Sequence, residues 1–168
     1  LVDDGTTNMT VQVCDKYKKE DCRIIVIHKK NSGLVSARKA GISVAKGDYA
    51  VCVDSDDWID KNHLQELARI IHDNSPDIIC FGHYEALEGK KKKFTIPFRK
   101  GLYKKIDLEK EIYPQLIRTE VATAFPPTIW AKAYKIDLYR TEQLLVDDRI
   151  KIGEDAACTI PCMMRASS

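Results

Sequence analysis

The sequence lacks any apolar run close to the roughly 20 residues that a bilayer-spanning helix needs. No charged-then-apolar leader opens it either. It is also short of net charge: 27 Lys and Arg stand against 25 Asp and Glu, a formal balance of +2. Nucleic acid calls for a clear basic excess, so it is excluded as the main partner. No internal repeat is visible. Metal-like pairs are missing too. The histidines (His28, His63, His72, His83) have no ligand spacing and read as structural or exposed, and among the cysteines only Cys158 and Cys162 are near each other. An even count of six cysteines invites disulfides, but Cys52 and Cys80 sit inside apolar runs, where cysteine is usually a small buried hydrophobe. Reduced thiols in a cytosolic protein are expected.

What the chain does have is enough apolar material for a core, at 44% hydrophobic residues in a length of one ordinary domain, 168 residues. Leu1 to Gly5 reads as the end of a strand running into a turn. Thr7 or Asn8 can cap a helix with Met9, Val13 and Tyr17 on one face. The β-branched run in Arg23 to His28 predicts a strand buried on both faces, the habit of parallel sheets. A helix with Ala37, Ala40, Gly41 and Val44 follows, closed at Lys46-Gly47, then a strand from Tyr49 to Val53. A helix from about Asp60 carries Leu64, Leu67, Ala68 and Ile71 inward, and Asp77 to Phe81 is a further strand. Strands alternating with helices imply a parallel sheet covered on both faces, an α/β fold.

Beyond Tyr84 the regularity weakens. Lys90 to Lys93 reads as a solvated hairpin tip or, more sharply, as a contact for anionic lipid head groups or a phosphate-bearing acceptor. A helix from about Asp107 to Arg118, a Pro-rich loop at Phe125-Pro126-Pro127, a segment from Ile129 to Lys135 and a short helix come next. The last helix is expected from Glu154, with Pro161 kinking it unless it ends earlier.

In open parallel sheets ligands bind beyond the carboxyl ends of the strands. Asp3-Asp4 and Asp54 to Asp57 both fall at such ends. Two carboxylates two residues apart, Asp54 and Asp56, can be offered to one hard cation, and magnesium usually binds through one or two carboxylates plus substrate phosphates. Each feature also has a plain reading. Asp-Gly favours a tight turn, Arg38 can be a solvated helix residue, Glu154-Asp155 can complement a helix dipole, and Trp58 and Trp130 read as core packing.

The ordered set Val2-Asp3-Asp4-Gly5-Thr6, Asn31-Ser32-Gly33-Leu34-Val35-Ser36-Ala37-Arg38, Gly47-Asp48-Tyr49, Val53-Asp54-Ser55-Asp56-Asp57-Trp58, Trp130-Ala131-Lys132 and Gly153-Glu154-Asp155 resembles the large inverting glycosyltransferase family of the GT-A fold. The resemblance covers nearly the whole chain. It implies that Asp4 reads the nucleobase, with Asp3 shaping the same pocket. It implies that Arg38 lies near the nucleotide and Asp54 near the ribose, that Asp56 is the ligand of Mn2+ or Mg2+, and that Asp155 is the catalytic base. Lys39 stands where many relatives have Asn and receives no role.

The expected function is therefore transfer of a sugar from a nucleotide-diphosphate sugar, most naturally a UDP-sugar, to an acceptor hydroxyl with inversion. The acceptor would be a glycan, a lipid-linked glycan or a protein side chain, in building a bacterial surface glycan. Residues 1–84 would form the donor half and 85–168 the acceptor half of one GT-A domain. The place would be the cytoplasm, with peripheral contact to the inner face of the membrane. The resemblance also implies that the family's first strand and helix are missing from this chain, which would favour low stability or self-association. A nucleotidyltransferase, or a nucleotide-binding domain of the same fold without turnover, remains the alternative.

Overall fold

The computed structural model describes residues 1–87, 89–117 and 125–168. The expected alternation is present in its first half: β1 (Val2–Asp3), α1 (Thr10–Glu20), β2 (Ile27–His28), α2 (Leu34–Val44), β3 (Tyr49–Val51), α3 (His63–Asn74) and β4 (Ile78–Cys80). The strands are shorter than expected, and they do not make one parallel sheet. β1 and β2 pair in parallel. β3 and β4 flank β7 (Lys132–Lys135), and both run antiparallel to it. β5 (His83–Leu87) and β6 (Lys90–Phe94) form a separate antiparallel hairpin. So the three-stranded sheet is antiparallel at both pairings, because the segment read only as preceding a helix is itself the middle strand.

β7 works through its two faces, as a strand of period two must. Lys132 and Tyr134 point one way, Ala133 the other. Ala133 is fully buried with Leu67 of α3 and Ile79 of β4. Tyr134 is buried among Val35 and Ile42 of α2, Tyr139 of α5 (Ile136–Leu145), and Cys158 and Cys162 of α6 (Glu154–Arg165). A further cluster joins Leu108, Ile112, Leu116, Phe125 and Met163. Its first three residues lie on one winding segment that starts as α4 (Lys105–Asp107), loosens into a π-helical turn at Leu108–Ile112 and tightens at Tyr113–Gln115. The expected end of that helix at Arg118 lies outside the described residues. α6 runs unbroken through Pro161.

Several apolar faces differ from expectation. α1 buries none of its residues, and Met9, Val13 and Tyr17 are exposed. Ile25 is exposed while Val26 is buried, so the run before β2 is covered on one side only. On α3, Leu67 is buried but Leu64 is open. α2 ends at Val44 with Ala45 as its cap, two residues before Gly47, and buries Val35 and Ile42. Trp58, read as core, is 62% exposed. All six cysteines are free thiols, as expected. A groove of about 660 Å³ runs along the amino ends of β1 and β2, lined by Leu1, Val2, Ile25, Gly41 and Val44. It touches none of the acidic clusters. Among the described residues no helix is long and apolar enough to cross a membrane.

Candidate active site

The site gathers at one end of the three-stranded sheet. β3 and β4 leave the sheet there, whereas β7, running the other way, enters it there: Lys132 pairs with Cys80 and Ala133 with Val51. Three segments therefore meet at this edge. They are the Asp54–Asp57 loop after β3, the Phe81-Gly82 link after β4, and residues 125–131 before β7.

Arg38 is the central cation. It lies on the second turn of α2, with its side chain only 9% exposed. One guanidinium nitrogen donates to Asp155 Oδ1 at 2.5 Å, and another lies 3.7 Å from Asp54 Oδ1. Burial works against the charged guanidinium, but Asp155 outweighs that and holds its pKa above the usual arginine value. Asp155 sits in the first turn of α6, behind Gly153, whose φ of 85° only glycine adopts freely. Its second oxygen accepts the backbone N–H of Ile129 at 3.1 Å. That hydrogen bond ties α6 to the segment entering β7. Asp54 is half-buried at the end of β3, and its backbone oxygen accepts from Asp57 N–H to close a turn. Burial pushes its pKa up, Arg38 opposes this, and Asp155, Asp57 and Asp56 add to the rise. Three carboxylates thus act on Asp54 in one direction and the Arg38 guanidinium in the other. Asp56 is exposed, and among the described residues it has no hydrogen-bond or ion-pair partner.

Asp3 and Asp4 form a second cluster at the amino end of α2. Helix geometry puts Arg38 about 7–8 Å further along the axis from Gly33. Asp4 accepts from Gly33 N–H at 2.8 Å, from Ser32 N–H and from Lys29 Nζ at 2.5 Å. A carboxylate is favoured at a helix amino terminus, where N–H groups are otherwise unpaired. Burial raises the Asp4 pKa, yet these hydrogen bonds together hold it below the usual range. Asp3 turns inward. It accepts from the Thr6 hydroxyl, from His28 Nδ1 at 2.9 Å and from Thr6 N–H at 2.9 Å, which hold its pKa down at about 2. Gly5 is needed between the clusters: its φ is +80° and a Cβ there would meet Asn31 N at 2.6 Å.

Three features went unnoticed in the sequence. His28 bridges Asp3 and Asp15. Lys39, given no role, pairs with Asp148 at 2.8 Å. Lys132 is 2% exposed and its ammonium donates to the carbonyls of Pro126 and Thr128 at 2.8 and 2.6 Å. Burial lowers its pKa. Neither hydrophobic periodicity nor spacing signals any of these contacts.

Among the described residues no three His, Cys, Asp or Glu are grouped closely enough to cage a metal unaided. The excess of carboxylate over guanidinium around Asp54, with Asp56 unpartnered, does fit a hard cation that takes its other oxygens from a bound diphosphate.

The architecture is that of the GT-A class. It matches the crystal structure of Staphylococcus aureus TarS 1-349 in complex with UDP-GlcNAc at a TM-score of 0.69 and 23% identity, over 98% of this chain and 44% of that one. The chain belongs to glycosyl transferase family 2, whose model matches residues 1–148. It is 31% identical over 166 residues to the uncharacterized glycosyltransferase EpsJ of Bacillus subtilis, covering 99% of this chain and 47% of EpsJ. It is 31% identical over 156 residues to the glycosyltransferase GlyA of Streptococcus pneumoniae, covering 92% of this chain and 22% of GlyA. The chain thus spans less than half the length of these relatives.

Proposed function

We propose that this chain is the donor-binding part of a glycosyltransferase. It moves a sugar from a UDP-sugar to an acceptor hydroxyl with inversion, in building a bacterial surface glycan at the cytoplasmic face of the membrane. The observation that carries the reading is the Arg38 node, which brings the end of β3, through Asp54, against the start of α6, through Asp155. A reaction that separates a sugar from a diphosphate needs positive charge beside the leaving group and a carboxylate beside the acceptor. This node holds both kinds of group within one contact shell.

Each residue then has a task. Asp4, held by Gly33 and Ser32 N–H and by Lys29, reads the nucleobase, and Asp3 fixes the turn that carries Asp4. Asp54 and Asp56 would hold Mn2+ or Mg2+, which supplies charge neutralisation at the departing diphosphate. Asp155 accepts the proton of the acceptor hydroxyl. In the structure both of its oxygens are engaged, by Arg38 and by Ile129 N–H. Diphosphate competes for the same guanidinium, so donor binding loosens the Arg38–Asp155 pair and makes the carboxylate a better base. UDP-GlcNAc in the TarS complex is the motive for choosing UDP. Calorimetric titration with UDP tests the reading: UDP should bind in Mn2+ and lose most of its affinity in EDTA. Equal affinity in both would overturn the metal assignment, and no binding in either would overturn the transferase itself.

A further inference from the structure

The β5–β6 hairpin is a built surface. Gly82 at its base passes so close to Phe94 that a Cβ would meet the Phe94 carbonyl oxygen at 2.5 Å. The His83 ring stacks on Phe94 with centroids 5.0 Å apart and meets Trp130 edge-on at 4.7 Å, which anchors the hairpin to the segment entering β7. Residues directly opposite in an antiparallel pair share a face. Tyr84 pairs with Lys93 and Ala86 with Lys91, while Glu85 pairs with Lys92 and Leu87 with Lys90. One face therefore carries Lys91, Lys93 and Tyr84. The other carries Lys90 and Lys92 with Leu87 and Glu85.

The first face continues onto the active site. Lys91 Nζ lies 5.8 Å from the centroid of the Trp58 ring, and Trp58 stands two residues after Asp56. Trp58 and Tyr84 are 62% and 59% exposed. Among the described residues no carboxylate is within ion-pairing distance of Lys90, Lys91, Lys92 or Lys93. Four lysines along one five-residue strand repel one another, a cost that a bound polyanion would relieve.

We propose that the face formed by Lys91, Lys93, Tyr84 and Trp58 binds a phosphodiester-bearing glycan polymer and leads its hydroxyl to the Asp54–Asp155 site. This rests on the transferase reading above. Ammonium groups would meet the phosphates, and the flat rings would cover the C–H faces of the sugar or alditol units. The placement argues for an acceptor. An anionic polymer approaching four carboxylates is repelled, and lysines at their rim offset that repulsion at the point of approach. A bilayer would sooner take the opposite face, where Leu87 stands with Lys90 and Lys92.

The test uses the protein as it stands, with a poly(ribitol phosphate) oligomer, a neutral glucan oligomer of equal length, and vesicles containing phosphatidylglycerol. The phosphodiester oligomer should bind, and two phosphate contacts should weaken binding by roughly sevenfold between 50 and 200 mM salt. The double variant Lys91→Gln/Lys93→Gln should lose roughly tenfold, and Lys90→Gln/Lys92→Gln clearly less, since exposed charges each contribute modestly. Equal losses in the two variants, equal binding of the neutral oligomer, or capture by vesicles without binding of the phosphodiester oligomer would each overturn the proposal. UDP titration of the same samples keeps the two readings apart. UDP binding without oligomer binding refutes the acceptor face alone. Oligomer binding with the expected variant pattern supports the face even where UDP fails to bind.

Discussion

Replacing Arg38 by Met removes the guanidinium that pairs with Asp155 and lies beside Asp54 while keeping most of the aliphatic stem. The Arg38 and Asp155 side chains are 9% and 21% exposed, so the pair lies between the surface and buried cases. Breaking a fully buried pair from one side costs about 3–5 kcal/mol, while an exposed pair is worth about 1 or less. A cost of about 2 kcal/mol at neutral pH follows, or about 4–8 °C in Tm for a chain of this size. The pH dependence has a definite sign. The folded-state pKa of Asp54 is already raised, by burial first and then by its carboxylate neighbours, with Arg38 opposing. A carboxylate with a raised folded pKa weakens the fold above that value and ceases to do so as pH falls through it. Without Arg38 the rise is larger, so the deficit of the variant should shrink as pH falls toward the ordinary carboxylate range. Thermal melts over a falling pH series test this. A cycle with Asp155→Asn should show coupling of about 1.5 kcal/mol or more. A loss below about 0.5 kcal/mol, the level of an ordinary surface substitution, or a deficit that grows on acidification, would refute the reasoning.

Asp56→Asn should leave Tm within the small range of surface substitutions yet abolish the Mn2+-dependent part of UDP affinity; unchanged affinity in Mn2+ would remove Asp56 from the metal site. In a transfer assay, Asp155→Asn should leave UDP affinity undiminished, since Arg38 loses the competing carboxylate, and should lower the rate by roughly 10²–10⁴-fold. Glu154→Gln serves as the comparison, because adjacent helix residues point about 100° apart and only one can face the acceptor. Should Glu154→Gln stop turnover while Asp155→Asn does not, the base is Glu154. The Asp3–His28 pair sets two limbs of a stability profile. The contribution of Asp3, held at about 2, is present above the ordinary carboxylate pKa and lost as pH falls toward 2. That of His28, whose pKa is raised by hydrogen bonds to Asp3 and Asp15, is complete below the ordinary histidine value and lost as pH rises through the raised one. His28→Asn should flatten the alkaline limb in pH-dependent melts, and an unchanged limb counts against the bridge. Lys132→Met should cost about 3 kcal/mol in denaturant unfolding, because the Pro126 and Thr128 carbonyls lose their donor in a buried place.

Local pattern carried the reading of the chain as far as local forces carry the structure. The alternation up to Cys80, the helix bearing Arg38 and the helix start at Glu154 are where the sequence places them, although α3 begins at His63 and not near Asp60. β7 was not legible as the central strand. Lys132-Ala133-Tyr134-Lys135 is short and bounded by lysines, which mark an edge or a loop when read alone. Its pairing with both β3 and β4 is decided by what the rest of the chain leaves open. A lysine is almost always exposed, yet Lys132 is buried where oxygens of Pro126 and Thr128 accept from its ammonium. The Arg38–Asp155 contact spans 117 residues and has no local signal. Trp58 was misjudged for the opposite reason: an aromatic after a buried strand is usually core, but here the chain turns outward at Asp54–Asp57 and takes the ring with it.

The reversed direction of β7 has a consequence for how such a protein can diversify. In a purely parallel sheet every loop at the active edge departs from a strand and must be followed by a crossover that returns the chain to the far side, so its length is bound to the packing of the next helix. The segment before β7 arrives at that edge from outside and needs no return journey. It can gain or lose residues without shifting the register of β3 or β4. Grafting different 125–128 segments onto this frame is thus a practical way to test whether that segment sets acceptor choice, with Lys132 and Ile129 N–H kept as the fixed points to which each graft is joined.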